Sequence, residues 1–497
     1  MRLPEKTEQA AYRKVAEAFR KQRKGATAAD IVAATALPLA TVRDLVPRAA
    51  DEYGARLEVT ESGEIRYSFP RGFASRYRGF RAGFRKFIEK AGRAVKTVSA
   101  GLFKVWIMVM LVGYFVLFML IALASLFITV AARSSSSDNR RGGGGGGFFV
   151  SAHIFDLIIR LWFYSTLTKS MDRRYGLRGN RDAEAPKGRP LHRAIFSFVF
   201  GDGDPNKDWN IREKKAFIAY VQANRGVISL PEFMALTGLE PQRAEEEILA
   251  RCSEFGGSPE VTEEGTLVYR FDEILLRADR EDRSFSGASP IKRLKEFSSN
   301  KKNMNFWFGL INTVNLIFGG YFFYNALTTG AILTETQFHA SSYLYAVTYV
   351  LSAEFIRNPL PLIGIGLGLV PLVFSLLFWL VPGIRYFLEK KENEKIKLDN
   401  LKKAGFGWIW SKPLAVQEKE INSPAKECRP RNMAAARDRI IKDMGAYSMP
   451  EVELDGAGNT VYSFKELRRE KEALARYRTS IDPAASSLGK IVFDSDS

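Results

Sequence analysis

Inward and outward positions alternate with a period of two in two short stretches of the chain, and a third repeats their spacing. In Leu57–Phe69 (LEVTESGEIRYSF), Ile65, Tyr67 and Phe69 alternate with Arg66 and Ser68. In Pro259–Phe271 (PEVTEEGTLVYRF), Leu267, Tyr269 and Phe271 alternate with Val268 and Arg270. A third version reads VELDGAGNTVYSF, Val452–Phe464. Each has a glycine four residues before a tyrosine and six before a phenylalanine: Gly63, Tyr67, Phe69; Gly265, Tyr269, Phe271; Gly458, Tyr462, Phe464. The spacing predicts three hairpins, each with one apolar face and a glycine-bearing turn.

Upstream the period changes to that of helices. A helix from about Glu5 to Lys21 leads the first copy. Thr27 and Asp30 have capping-box spacing before Ile31 and Val32, and Pro38 and Leu39 open a helix with Val42, Leu45 and Val46. The second copy repeats the plan, with Ser229 and Glu232 before Phe233, Met234 and Leu236, and Pro241 opening a helix through Ile248 and Leu249. Helix, short helix, helix and two-stranded wing is the order of a winged-helix domain. The third copy reads as degenerate, with one helix from about Asn432 to Met444 before its hairpin.

Between the copies lie long apolar runs. Phe103–Ala132, Phe148–Leu167, Asn305–Leu327 and Pro359–Leu388 are each about as long as the roughly 20 residues needed to span a bilayer, or longer. Tyr343–Phe355 is shorter and reads as re-entrant or interfacial. The second run carries His153, Asp156 and Arg160 within a narrow helical sector, and the third carries Asn312 and Asn315 on one side. Those five form a candidate intramembrane polar cluster, in which Asp156 and Arg160 pair one turn apart and face the asparagines. The fourth run is broken by Pro361, Pro371 and Pro382 and by Gly364, Gly366 and Gly368.

The expected fold is therefore an α-helical integral membrane protein with four transmembrane helices and three winged-helix-like α+β cytoplasmic units. Along the chain these are a unit at 1–70, a basic amphipathic interfacial helix at 71–100, a transmembrane hairpin at 101–168, a basic linker at 169–205 and a unit at 206–278. A charged linker at 279–303, a second transmembrane hairpin at 304–388 and a C-terminal region at 389–497 with the degenerate unit follow.

The net charge of +18 implies an acidic partner. Much of the excess flanks the apolar runs, at 71–104, 169–193 and 385–403, whereas 328–358 has Arg357 against Glu335 and Glu354. This asymmetry places both termini and the units on the cytoplasmic side of an inner membrane, with anionic lipid headgroups against the basic flanks. Glu5, Glu8 and Glu17 argue against a transit peptide. Two cysteines, Cys252 and Cys428, and three histidines are too few for a disulfide scaffold or a metal site, and no cofactor is expected. Gly142–Gly147 lacks the context of a phosphate loop and reads as a linker. Asp202 and Asp204 read as a turn before a helix start, with Asn210 and Glu213 as its capping pair.

The phrase HRAIFSFVFGDGDPN (His192–Asn206) followed by GGSPEVTEEGTLVYRF resembles a family of uncharacterised multi-pass membrane proteins of cyanobacteria and plastids, some labelled iron–sulfur-cluster-biosynthesis-like. The resemblance covers about Ser68 to Leu388. It implies a membrane location and carries no catalytic residue over, and the cysteines here do not cluster as the label would require.

No nucleophile-and-base arrangement argues for an enzyme. The expected function is a membrane-anchored scaffold or regulator whose units make protein–protein contacts; the partner is unspecified, and a homo-oligomer stays open. A membrane-tethered DNA-binding regulator is the first alternative, but Glu245, Glu246 and Glu247 stand where a reading helix needs donors, and Asp44, Asp51 and Glu52 oppose Arg43 and Arg48. Nucleic acid is thus an unexpected partner. A transporter or channel component is the second alternative, resting on the polar cluster and the broken fourth run.

Overall fold

The computed structural model describes residues 5–22, 25–70, 73, 98–134, 189–278, 290–329, 343–353, 359, 361–456, 458–482 and 487–495. Residues 74–97 of the expected interfacial helix, the glycine tract and the second apolar run lie outside them. The chain forms two compact units, one of Met1–Glu89, Asp204–Lys295 and Glu389–Ser497, the other of Lys90–Gly203 and Glu296–Leu388.

In chain order the helices are α1 (Glu5–Lys21), α2 (Ala28–Thr35), α3 (Leu39–Tyr53), α4 (Val98–Ile128), α5 (Leu191–Phe200), α6 (Trp209–Ala223) and α7 (Leu230–Thr237). Then come α8 (Pro241–Phe255), α9 (Lys302–Thr329), α10 (Tyr343–Ala353), α11 (Leu362–Ser411), α12 (Met433–Tyr447) and α13 (Lys465–Ser480). The strands are β1 (Arg56–Thr60), β2 (Ile65–Ser68), β3 (Val227–Ser229), β4 (Ser258–Val261), β5 (Leu267–Arg270), β6 (Val416–Gln417), β7 (Glu451–Leu454), β8 (Thr460–Ser463) and β9 (Ile491–Asp494).

In the first unit the repeated phrase folds the same way three times. Gly63, Gly265 and Gly458 take φ of +79°, +81° and +77°, a region open to glycine at little cost. Their N–H groups donate at 2.9 Å to the carbonyls of Thr60, Thr262 and Asp455, closing three equivalent turns. Tyr67, Tyr269 and Tyr462 then face inward, as do Phe69, Phe271 and Phe464. Phe69 meets Phe19 of α1 edge-on with centroids 5.2 Å apart, and Phe271 meets Phe217 of α6 in the same way at 5.3 Å.

The sheets are three-stranded and antiparallel, in the orders β2-β1-β9, β3-β5-β4 and β6-β8-β7, where the sequence suggested two strands each. Two of the added strands, β3 and β6, are only three and two residues long, too short for a period to show. The third copy is also fuller than its sequence suggests: the end of α11 buries Leu401, Phe406 and Ile409 as a leading helix, and 3-10 turns at Glu418–Glu420 and Lys426–Cys428 stand between β6 and α12. One apolar cluster draws on all three copies, including Phe19, Phe69, Phe217, Phe233, Phe406, Ile440 and Phe464. Each such side chain contributes roughly 1.5–3 kcal/mol on burial, so the copies stabilise one another rather than folding around separate cores.

The second unit holds α4, α5, α9, α10 and the apolar part of α11. Among the described residues α4, α9 and α11 are long and apolar enough to cross a membrane. The fourth expected span, Phe148–Leu167, falls outside the described residues. The run read as broken is instead continuous: α11 passes through Pro371 and Pro382 and opens with a π-helical stretch, Leu362–Leu369. A proline ring displaces the carbonyl of the preceding turn, and the wider π turn just before Pro371 gives it room. The short stretch after α9 forms α10, with Tyr345 buried beside Phe322.

Candidate interaction sites

In the second unit, Asn312 and Asn315 are fully buried on α9. Asn312 Nδ2 donates to the Ser375 carbonyl of α11 at 3.0 Å, and Asn315 Nδ2 donates to the Leu111 carbonyl of α4 at 2.8 Å. Leu111 lies in a π turn, Val109–Gly113, and Tyr114 Oη of α4 donates at 2.8 Å to the Gly366 carbonyl in the π stretch of α11. Wide turns aim carbonyls off the helix axis, where a side chain from the next helix can reach them. Small residues permit the closeness: a Cβ on Gly368 would stand 2.8 Å from the Phe323 backbone, and one on Gly319 2.9 Å from the Leu372 nitrogen. The amide oxygens of both asparagines find no partner among the described residues. His153, Asp156 and Arg160, expected to face them, lie outside those residues. What is described of the cluster joins three helices.

The phrase Phe200–Asn206 follows the end of α5, and in the second unit its Asp202 is held from several sides. Asp202 receives hydrogen bonds from Ser197 Oγ (2.6 Å), Ser299 N (2.9 Å) and Ser299 Oγ (2.7 Å), and an ion pair from Arg189. Burial would raise its pKa, but the bonds from Arg189, Ser197 and Ser299 outweigh it and hold the carboxyl well below the usual range. Arg385 donates to the carbonyls of Phe198 (3.0 Å) and Phe297 (2.5 Å), satisfying an orphan carbonyl at the end of α5. In the first unit, three asparagines grip an extended segment by its backbone. Asn206 pairs with Arg293, Asn400 with Lys292 and Asn393 with Lys295, each giving and taking one hydrogen bond at 2.7–2.9 Å. The turn expected around Asp204 is present, with Asn206 N donating to Asp204 Oδ1 at 2.9 Å. The capping pair expected at Asn210 and Glu213 is not: Asp208 is the N-cap residue, and Glu213 accepts from Trp209 Nε1 at 3.2 Å.

The helices that the winged-helix expectation would set against DNA are α3 and α8, and their arginines have carboxylate neighbours. Arg43 meets Glu273 (3.2 Å) and Glu64 (3.6 Å), and Arg48 meets Glu8 (3.2 Å). On α8, buried Arg251 meets Glu247 (2.5 Å) and Glu254 (2.9 Å), and Arg243 meets Glu240 (3.2 Å). The hairpin arginines are held likewise, Arg66 by Glu58 (3.5 Å) and Arg270 by Asp272 (2.8 Å). Glu245 and Glu246 remain exposed.

The ionisable groups that the sequence reading did not single out include half-buried Glu470 and buried Lys403. Glu470 of α13 accepts from Tyr447 Oη at 3.0 Å, and burial, outweighing that bond, with a further push from Glu232, raises its carboxyl to about 7. Lys403 of α11 lies 4.4 Å from the centre of the Trp209 ring and 3.4 Å from Glu213; burial pulls its ammonium down to about 8. Both stand in helices dense with charge, and spacing alone does not separate them from exposed neighbours. Cys252 is buried, and burial pushes its thiol up to about 11, away from reactivity. Among the described residues no group of His, Cys, Asp and Glu is arranged to hold a metal.

Compared with known proteins, the chain is similar to an uncharacterized chloroplastic protein of Arabidopsis thaliana. The two are 24% identical over 447 residues, covering 84% of this chain and 75% of the relative. No family model matches the chain, and no solved structure matches it. The similarity accords with the resemblance to plastid proteins noted in the sequence.

Proposed function

We propose that the chain is a membrane-anchored scaffold or regulatory protein, and that its three repeats are winged-helix-like modules acting in protein contact. The observation that carries this reading is the ion pairing of Arg43, Arg48, Arg243, Arg251, Arg66 and Arg270, the basic groups of the reading helices and wings, with carboxylates of the same unit. A phosphate backbone would compete with those partners, which hold the exposed Arg43, Arg48 and Arg243 only weakly and the buried Arg251 firmly, and would face Glu245 and Glu246 as well. The shared core supports it too, because the modules already use their apolar surface against one another.

The apolar helices α4, α9 and α11 are long enough to serve as the anchor, and the basic flanks support a position of the modules on the side of anionic headgroups. The test is a titration of the full chain in detergent micelles with duplex DNA at low and physiological salt. Weak binding that vanishes with added salt is expected. Sequence-selective binding that survives physiological salt overturns the reading in favour of a tethered DNA-binding regulator.

A further inference from the structure

The outer edges of the three hairpins are treated differently. In the first, β9 pairs along β1, with Val59 opposite Phe493 and the Ser495 N–H donating to the Leu57 carbonyl at 3.0 Å. In the second, the edge strand β4 carries Pro259 at the register facing Tyr269, and a proline there removes a donor from the edge. In the third, the matching position facing Tyr462 is Val452, no described strand pairs with the outer side of β7, and its side chains are open: Val452 is 60% exposed, Leu454 74% and the nearby Met449 84%. Covered or blocked edges are the rule in folded proteins, because an open edge is a template for another strand.

We propose that β7 is a docking edge that takes an extended, basic segment of a partner protein by strand addition. The first hairpin shows that this repeat accepts a strand on that side, since β9 already occupies the equivalent place. Charge selects the occupant. Arg56 at the edge of β1 matches Asp494 of β9, whereas the equivalent residue of β7 is Glu451, followed on the same face by Glu453. Glu453 has no ion-pair partner among the described residues, and Glu451 has Lys465. A strand alternating Lys or Arg with Val, Ile or Leu would set cations against these carboxylates on one face and cover Val452 and Leu454 on the other. A second copy pairing β7 with β7 antiparallel, in the register that stacks Val452 on Val452, would set Glu451 against Glu453 on both sides, which like charges on neighbouring strands disfavour.

This inference rests on the protein-contact reading and adds to it the edge and the chemistry of the occupant. The test uses the full chain in detergent and two fluorescent peptides, one alternating lysine with valine and one alternating glutamate with valine, read by anisotropy at physiological salt. The lysine peptide is expected to bind saturably and the glutamate peptide not. Val452→Pro, which copies the tolerated Pro259, should weaken the lysine peptide by about tenfold or more with unchanged melting. Glu453→Lys should weaken it and admit the glutamate peptide, which keeps the test valid if the proline variant unfolds. No saturable binding of the lysine peptide, or binding indifferent to both substitutions, overturns the docking edge. Either result leaves protein contact through other surfaces to be judged by cross-linking.

Discussion

Asp494 in the last strand faces Arg56 at the start of the first hairpin, Nε to Oδ1 at 2.8 Å with a second bond beside it, across 438 positions of chain. The pair ties β9 to β1. Arg56→Ala should therefore loosen β9 selectively, because a half-buried bidentate pair contributes up to about 1 kcal/mol, or a factor of roughly five in local opening. Hydrogen exchange over Ile491–Asp494 measures it. Protection equal to that of the parent protein would show that the pair does not hold the strand.

Asn315 on α9 gives its amide to the Leu111 carbonyl of α4. Replacing it with leucine leaves that buried carbonyl without its donor, at an expected cost of about 1–2 kcal/mol. Thermal unfolding in detergent should shift down by several degrees. An unchanged transition for Asn315→Leu would mean that apolar packing alone joins the helices.

Glu470 makes stability depend on pH. Its folded value of about 7 lies above the ordinary 4.5, so the folded state holds a proton that the unfolded chain has already lost. The stabilising effect is full below about 4.5 and is lost as pH rises through about 7. Glu470→Gln should match the parent protein in acid and exceed it above neutrality, by at most on the order of 3 kcal/mol. Melting curves across that range decide it; a constant difference at every pH would contradict the assignment.

Much of this architecture is legible in the residues. The glycine, tyrosine and phenylalanine spacing gives the hairpins because a left-handed turn residue and two inward rings each demand a particular side chain. The Thr27 and Asp30 cap is as the spacing implies, with Thr27 N donating to Asp30 Oδ2 at 3.0 Å. The extra strands and the common core are not legible, because they depend on partners far away in sequence, and the continuous α11 is not, because its prolines and glycines read as breaks. The pairing of Asn315 with a π turn is of the same kind: the sequence marks the asparagine and gives no sign of the carbonyl it meets.

Topology is open to a direct check. With the modules on the basic side of the membrane, an introduced cysteine near Gln337 should react with an impermeant reagent applied from the opposite face, and one near Lys465 should not. Labelling near Lys465 from that face would reverse the orientation.

The central claim, that the modules contact protein and not nucleic acid, is tested most directly by photo-cross-linking in the native membrane. A photoreactive residue is placed at Val452 on the open edge and, separately, at Arg243 on the exposed side of α8, and the adducts are divided between protease and nuclease. Adducts at Val452 that protease removes and nuclease leaves intact are the predicted result. Nuclease-sensitive adducts at Arg243 would contradict the account.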